Sequence, residues 1–141
     1  VSTVTDLSEV RGLEHARAYL AGLIDQVSDA VISTDLDFRV QSWSQGAERL
    51  YGYTAAETLG RPVDRFLATV FLGESVQGAS HALFTAGRWS GEVEQQTKDG
   101  RAVPVLASVT LVRGADDRPT GTVAVNRDLS EAKSLLKQLH H

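Results

Sequence analysis

Apolar residues change their spacing several times along this chain, and each change marks an element. From Asp6 onward they recur at Leu13, Ala16, Leu20, Leu23 and Val27, steps of three and four that draw one stripe down a helix. Asp6 suits the N-cap of that helix, with Glu9 three residues later as its reciprocal partner. So narrow a stripe packs either on the chain's own sheet or against a second copy of the helix. The period then shortens. Ala30 to Thr34 is a β-branched apolar run, Asp35-Leu36-Asp37 a turn, and Phe38 to Trp43 a second run, which together predict a hairpin.

Helical spacing returns at Ala47, Leu50 and Tyr51, ends at Gly52, and resumes from Thr54 to Leu59 until Gly60 and Pro62 stop it. A longer helix is predicted over Glu74 to Ala86, with Gly87 suited to a left-handed C-cap. Three strands follow, Trp89 to Thr97, Ala102 to Arg113 and Thr120 to Asp128, joined by turns at Lys98-Asp99-Gly100 and Gly114-Ala115-Asp116-Asp117. Beyond them Leu129, Ala132, Leu136 and Leu139 mark a last helix, capped by Asp128 or Ser130. Its stripe fits either a local lid or a rigid connector to another domain.

Two strands, several small helices and three strands predict an α+β domain, an antiparallel sheet with the helices gathered on one face. In the last strand Val123, Ala124 and Val125 are all apolar, so the second face should be covered too, and the N-terminal helix is the expected cover. The organisation read from the chain is therefore a cap helix over 1–22, a compact domain over 23–128 and a connector helix over 129–141. His140 and His141, native or the stub of a tag, are set aside.

Composition narrows the chemistry. At 141 residues, 42% hydrophobic and 23% charged, the chain can bury one core without staples and offers no membrane span. It has no cysteine, which excludes disulfides, zinc-thiolate sites, a cysteine nucleophile and any cysteinyl adduct. The net charge of -4 is spread along the chain, leaving no basic face for phosphates, so no nucleic-acid partner is expected. No signal sequence is readable, and a cytoplasmic location is expected, either free or as the cytoplasmic part of a receptor. With no methionine even at position 1, the chain reads as a piece of a longer protein.

Several phrases in this order resemble the PAS family, over about Leu23 to Lys133. Asp29-Ala30-Val31-Ile32-Ser33-Thr34-Asp35 is similar to the family's opening strand, and Trp43 to Thr54 (WSQGAERLYGYT) to its first helix and turn. Gly87-Arg88-Trp89-Ser90-Gly91-Glu92 with Lys98-Asp99-Gly100 resembles its third strand and the hairpin after it. Arg127-Asp128-Leu129-Ser130-Glu131-Ala132-Lys133 resembles the phrase at which a PAS sheet hands over to its signalling helix. The resemblance implies a five-stranded sheet in the order 2-1-5-4-3 cradling a small-molecule pocket. It also implies a homodimer formed through terminal helices, and an output partner such as a sensor histidine kinase in a bacterial two-component system.

Strand alternation puts Val93, Gln95, Val105, Ala107, Ala124 and Asn126 on one face, the face that lines the pocket in the family. Gln95 and Asn126 are then either polar tips that orient a ligand or partners of each other or of helix backbone. Trp89 matches a tryptophan of flavin-binding relatives, and equally a ring that fills the seam between helices and sheet. His81 lies on the helix where haem-binding relatives carry their ligand, although it reads equally as an exposed residue. The cofactor stays unknown, with haem and flavin both open. The light-sensing LOV branch is excluded, because Pro62-Val63-Asp64 follows Gly60-Arg61 where that branch has its cysteine. Glu48 and Lys98 are expected to pair across the helix-to-hairpin junction, as in relatives. No nucleophile with a base and no phosphate-cradling loop is readable, so a non-catalytic sensor is expected. Its signal would leave through Asp128, Leu129 and Ser130; the alternative is a structural dimerisation module with a self-filled cavity.

Overall fold

The computed structural model describes residues 29–139; the cap helix expected over 1–22, its cover of the outer sheet face, and His140 and His141 lie outside them. The first strands, β1 (Ala30–Asp35) and β2 (Val40–Trp43), form the expected hairpin. Alternation is visible in β1, where Ala30, Ile32 and Thr34 are buried and Val31, Ser33 and Asp35 are half-exposed. The Asp35 carboxylate closes the turn by accepting from the Asp37 and Arg39 amides at 2.9 and 3.0 Å, an aspartate turn of the usual kind.

Three short helices follow, α1 (Gln45–Tyr51), α2 (Ala55–Thr58) and α3 (Asp64–Leu67). Each of the first two has a side-chain cap: Ser44 accepts from Ala47 N, and Thr54 with Glu57 makes a reciprocal capping box. The third shows no periodicity in the sequence, because four residues complete barely one turn. A longer helix, α4 (Val76–Ala86), starts at the Ser75 cap and stops at Gly87, whose φ of 83° is the left-handed conformation glycine tolerates.

The sheet has six strands, not five. A two-residue strand, β3 (Val70–Phe71), pairs with β4 (Arg88–Gln96), and β5 (Ala102–Arg113) and β6 (Pro119–Asp128) complete the order β2-β1-β6-β5-β4-β3. Set β3 aside and the expected order remains. So short an edge strand has no period of its own and exists through its pairing with Glu94 and Val93. Where β6 passes β1, a Cβ on Gly121 would sit 2.0 Å from the Thr34 carbonyl oxygen, so only glycine admits this approach of the two backbones.

Buried side chains of α1, α3 and the inner sheet face form one core that includes Ile32, Val40, Trp43, Tyr51, Phe66 and Val105. The opposite face carries Leu106, Val112 and Val125, each more than a third exposed. The last helix, α5 (Ser130–Leu139), buries nothing. Its start is tied to the sheet by Leu129 N donating to the Pro104 carbonyl at 2.8 Å and by a Lys133–Glu92 ion pair at 2.8 Å. Among the described residues no helix is long and apolar enough to cross a membrane.

One predicted contact is corrected. Lys98 pairs with Glu57 at 2.7 Å and not with Glu48, whose carboxylate instead accepts from the Ala55 amide at 2.8 Å. The capping box holds Glu57 at the start of α2 with its second oxygen free for Lys98.

Candidate functional site

Small side chains leave space under the helices. Ala79 on α4 faces Ala107 on β5 and Ala124 on β6 across a partly open cavity of about 160 Å³, lined also by Ile32, Leu67, Phe71, Leu83 and Trp89. Its walls are almost wholly apolar, and no charged side chain lines it.

Of the residues expected at this face, Val93, Gln95, Ala107, Ala124, Asn126 and Trp89 line the cavity. Val105 does not. It is fully buried, but it lies nearer the start of β5, where it packs into the core cluster with Tyr51, Val93 and Val103. His81 is likewise placed elsewhere: it is exposed, while Ala79, Ser80 and Leu83 carry the cavity-facing side of α4. Two residues beyond Ala79 a helix has turned by about 200°, which takes His81 out of reach of the cavity.

Trp89 does serve as the seam-filling ring. Its indole meets Phe71 edge-on, centroids 5.2 Å apart, and its Nε1 donates to Glu74 Oε2 at 2.6 Å, tying β4 to the start of α4. The ring lies flat across Gly91, where a Cβ would come within 2.6 Å of it; the missing side chain is what lets the indole lie down.

One end of the cavity is polar. The Tyr51 hydroxyl donates to Gln95 Oε1, Asn126 Nδ2 donates to the Tyr51 oxygen at 3.0 Å, and Gln95 Nε2 donates to Thr69 Oγ1 at 3.1 Å. Gln95 and Asn126 are therefore bridged by a tyrosine rather than bonded to each other. Burial holds the Tyr51 hydroxyl well above the ordinary tyrosine range, offset in part by the Asn126 hydrogen bond and reinforced by Asp128, so it stays protonated and has one proton to give. Asn126 Oδ1 is left buried without a partner. A second polar pair is complete: Thr34 Oγ1 donates to the Asp35 carbonyl at 2.9 Å and so must accept from Thr122 Oγ1, 2.7 Å away.

Tyr51, Thr69, Thr34 and Thr122 carry no sequence signal that marks them as site residues. Tyr51 stands at helical spacing with Ala47 and Leu50, and all three do lie on α1, but its partners Gln95 and Asn126 are 44 and 75 residues away, a distance no local pattern spans.

The expected relay residues sit where β6 ends. Asn126 is in the cavity, Asp128 is the last residue of the strand, and the Asp128 carboxylate accepts from the Ser130 amide at 2.8 Å, so Asp128 rather than Ser130 supplies the cap. Arg127, on the other face, forms a fork with Asp29 at 3.2 and 3.3 Å, and that carboxylate holds the Arg127 guanidinium above its usual range.

No residue lining this cavity is a haem ligand, and the cavity is small for a large cofactor. Drug-sized ligands occupy pockets of about 300–1,000 Å³, well above 160 Å³, and His81 does not reach it. Among the described residues, no group of three or more His, Asp or Glu side chains could hold a metal ion.

Comparison with known proteins points one way. A PAS domain model matches residues 28–131. The chain is 25% identical over 142 residues to the probable diguanylate cyclase DgcE of Escherichia coli (strain K12), a match that covers 96% of this chain but only 13% of that protein's length. Among solved structures, the PAS domain of a protein from Colwellia psychrerythraea is 28% identical, with a TM-score of 0.69 over 84% of this chain and 98% of that one. A PAS domain from a two-component sensor histidine kinase shares the fold at a TM-score of 0.63, with 11% identity, over 82% of this chain and 97% of that one.

Proposed function

The chain belongs to the PAS domain family, and from that premise we propose that it is the non-catalytic, ligand-responsive module of a bacterial signalling protein. Occupancy of the cavity is relayed through Asp128, Leu129 and Ser130 to α5 and on to an output domain, a histidine kinase or a cyclase of the kind its relatives carry. The observation that carries this reading is the layout of β6. One strand places Ala124 and Asn126 at the cavity wall and, two residues later, the carboxylate that caps α5. A shift of the strand by a ligand therefore moves the start of the helix. Val93, Gln95, Ala107 and Trp89 complete the proposed binding wall.

A cavity-filling substitution imitates occupancy without any ligand. In Ala124→Leu, amide hydrogen exchange over 129–133 is expected to change several-fold relative to the unaltered chain, since opening of the first helical turn depends on that cap. Unchanged exchange there, with altered exchange in β6 itself, would show that the strand moves without moving the helix and would sink the relay.

A second reading has its own support: Leu135, Leu136 and Leu139 are 53, 55 and 80% exposed along α5, a seam suited to pairing with a second copy. In that reading the domain holds two chains together and senses nothing. Native mass spectrometry separates the two. A dimer that retains no small molecule and shows no thermal shift across a metabolite panel favours the dimerisation module.

A further inference from the structure

The polar side chains that line the cavity already hold partners within the protein. Thr34 and Thr122 bond to each other, and Thr34 also donates to the Asp35 carbonyl. Gln95 accepts from the Tyr51 hydroxyl and donates to Thr69, while Asn126 donates to the same Tyr51 oxygen. Ser80, the remaining hydroxyl among the lining residues, is exposed and stands at the rim. A polar group carried in by a guest therefore meets side chains that are engaged, and must share or displace a bond to replace the water it left. Burial of a polar group on those terms costs free energy.

Charge fares worse. None of the described residues lining the cavity is charged. Phe38 and Ser80 are the exposed ones among them, so even at the mouth an ionised group finds no counter-ion on the wall.

What the cavity offers is apolar surface, from Ile32, Leu83 and Trp89 and from the facing Ala79, Ala107 and Ala124. The attraction between such a wall and an apolar guest has no direction and grows with the area removed from water. Affinity then follows the bulk of the guest and not its functional group. An apolar cavity of about 150 Å³ takes a benzene ring, and this one is about 160 Å³.

We propose that the cavity binds uncharged, hydrocarbon-like molecules the size of one aromatic ring, selected by bulk and apolar surface with no functional group required. This rests on the reading of the cavity as a ligand site.

The test titrates the 141-residue chain calorimetrically with toluene, phenol and benzoate at about pH 7, where phenol is neutral and benzoate ionised. Toluene and phenol have nearly the same shape, so the pair isolates the hydroxyl. Toluene is expected to bind about tenfold more tightly than phenol, and more tightly still than benzoate. In Ala124→Leu and in Ala79→Leu, which fill the space from opposite walls, toluene affinity should fall at least about tenfold. Either variant serves if the other does not fold, and the three-ligand ranking on the unaltered chain decides if neither does. Phenol or benzoate binding as tightly as toluene overturns the apolar assignment while leaving the cavity a ligand site. Toluene affinity unchanged in the folded variants puts the toluene somewhere other than this cavity and also overturns it. If none of the three binds, the assignment falls, and the ligand-site reading falls with it when a broader metabolite panel also gives no thermal shift.

Discussion

The two ends of the inner face, one built on β2, α1 and α3 and the other on α4, β5 and β6, differ in that the first is solid and the second hollow. At the solid end Trp43 meets Tyr51 at 5.7 Å and Phe66 at 6.2 Å, and Tyr53 packs edge-on to Phe66 at 4.9 Å. At the hollow end the facing positions are Ala79, Ala107 and Ala124. Burial does not distinguish them: Ala47 among the rings is fully buried and Ala107 at the cavity is 5% exposed. Side-chain volume does, since interiors pack densely wherever there is volume to fill them. The domain thus keeps a packed core at one end, where the rings of Trp43, Tyr51, Tyr53 and Phe66 converge, and a chamber at the other, where alanines face one another and the Phe71–Trp89 pair stands only at the wall.

The largest expected effect tests the solid end. Trp43→Ala removes a ring that contacts two others and donates its Nε1 to the Tyr53 carbonyl at 2.9 Å. It should cost about 3–5 kcal/mol, read as a fall in the urea midpoint at unchanged slope. A loss below about 1 kcal/mol would mean the rings are not what fills that end.

A matched pair sharpens the contrast. Ala47→Leu forces extra carbons into packed space and should cost about 1–3 kcal/mol, whereas Ala124→Leu fills empty space and should gain about 0.5–2 kcal/mol. Equal costs at the two sites would remove the distinction between solid and hollow.

The smallest effect lies on the surface, at the hairpin end that Lys98 joins to α2. The Lys98 hydrogen bond, with the Thr54 amide and hydroxyl adding to it, holds the Glu57 carboxyl down to about 2 from its usual 4.5. A depressed acid stabilises the fold above its unfolded value, and that contribution is lost as pH falls through the folded one. Between about pH 4.5 and 2 the unaltered chain should therefore lose stability more steeply than Glu57→Gln, the gap staying small because the pair is solvent-exposed. Parallel urea-midpoint curves for the two chains across that window would remove Glu57 from the acid response.

Much of this architecture is legible in the order of residues alone. The hairpin, α4 with its Gly87 stop, and the three long strands announce themselves by period and punctuation, and alternation brings Val93, Gln95, Ala107, Ala124 and Asn126 to one face. The elements that escape such reading, β3 and α3, are two and four residues long and show no period. Glu57 rather than Glu48 as partner of Lys98 is also unreadable, because both are acidic residues on short helices and only the folded path of the chain measures which carboxylate lies closer.

By itself the sequence determined the order of the longer elements, the sidedness of the strands and the absence of thiol chemistry, because these follow from local period, turn residues and composition. Tertiary structure alone decided that Val105 belongs to the core, that His81 faces solvent, and that Tyr51 joins Gln95 to Asn126 while leaving one oxygen free. Those outcomes depend on which side chains from distant stretches compete for the same volume and the same protons, and no spacing along the chain records that competition.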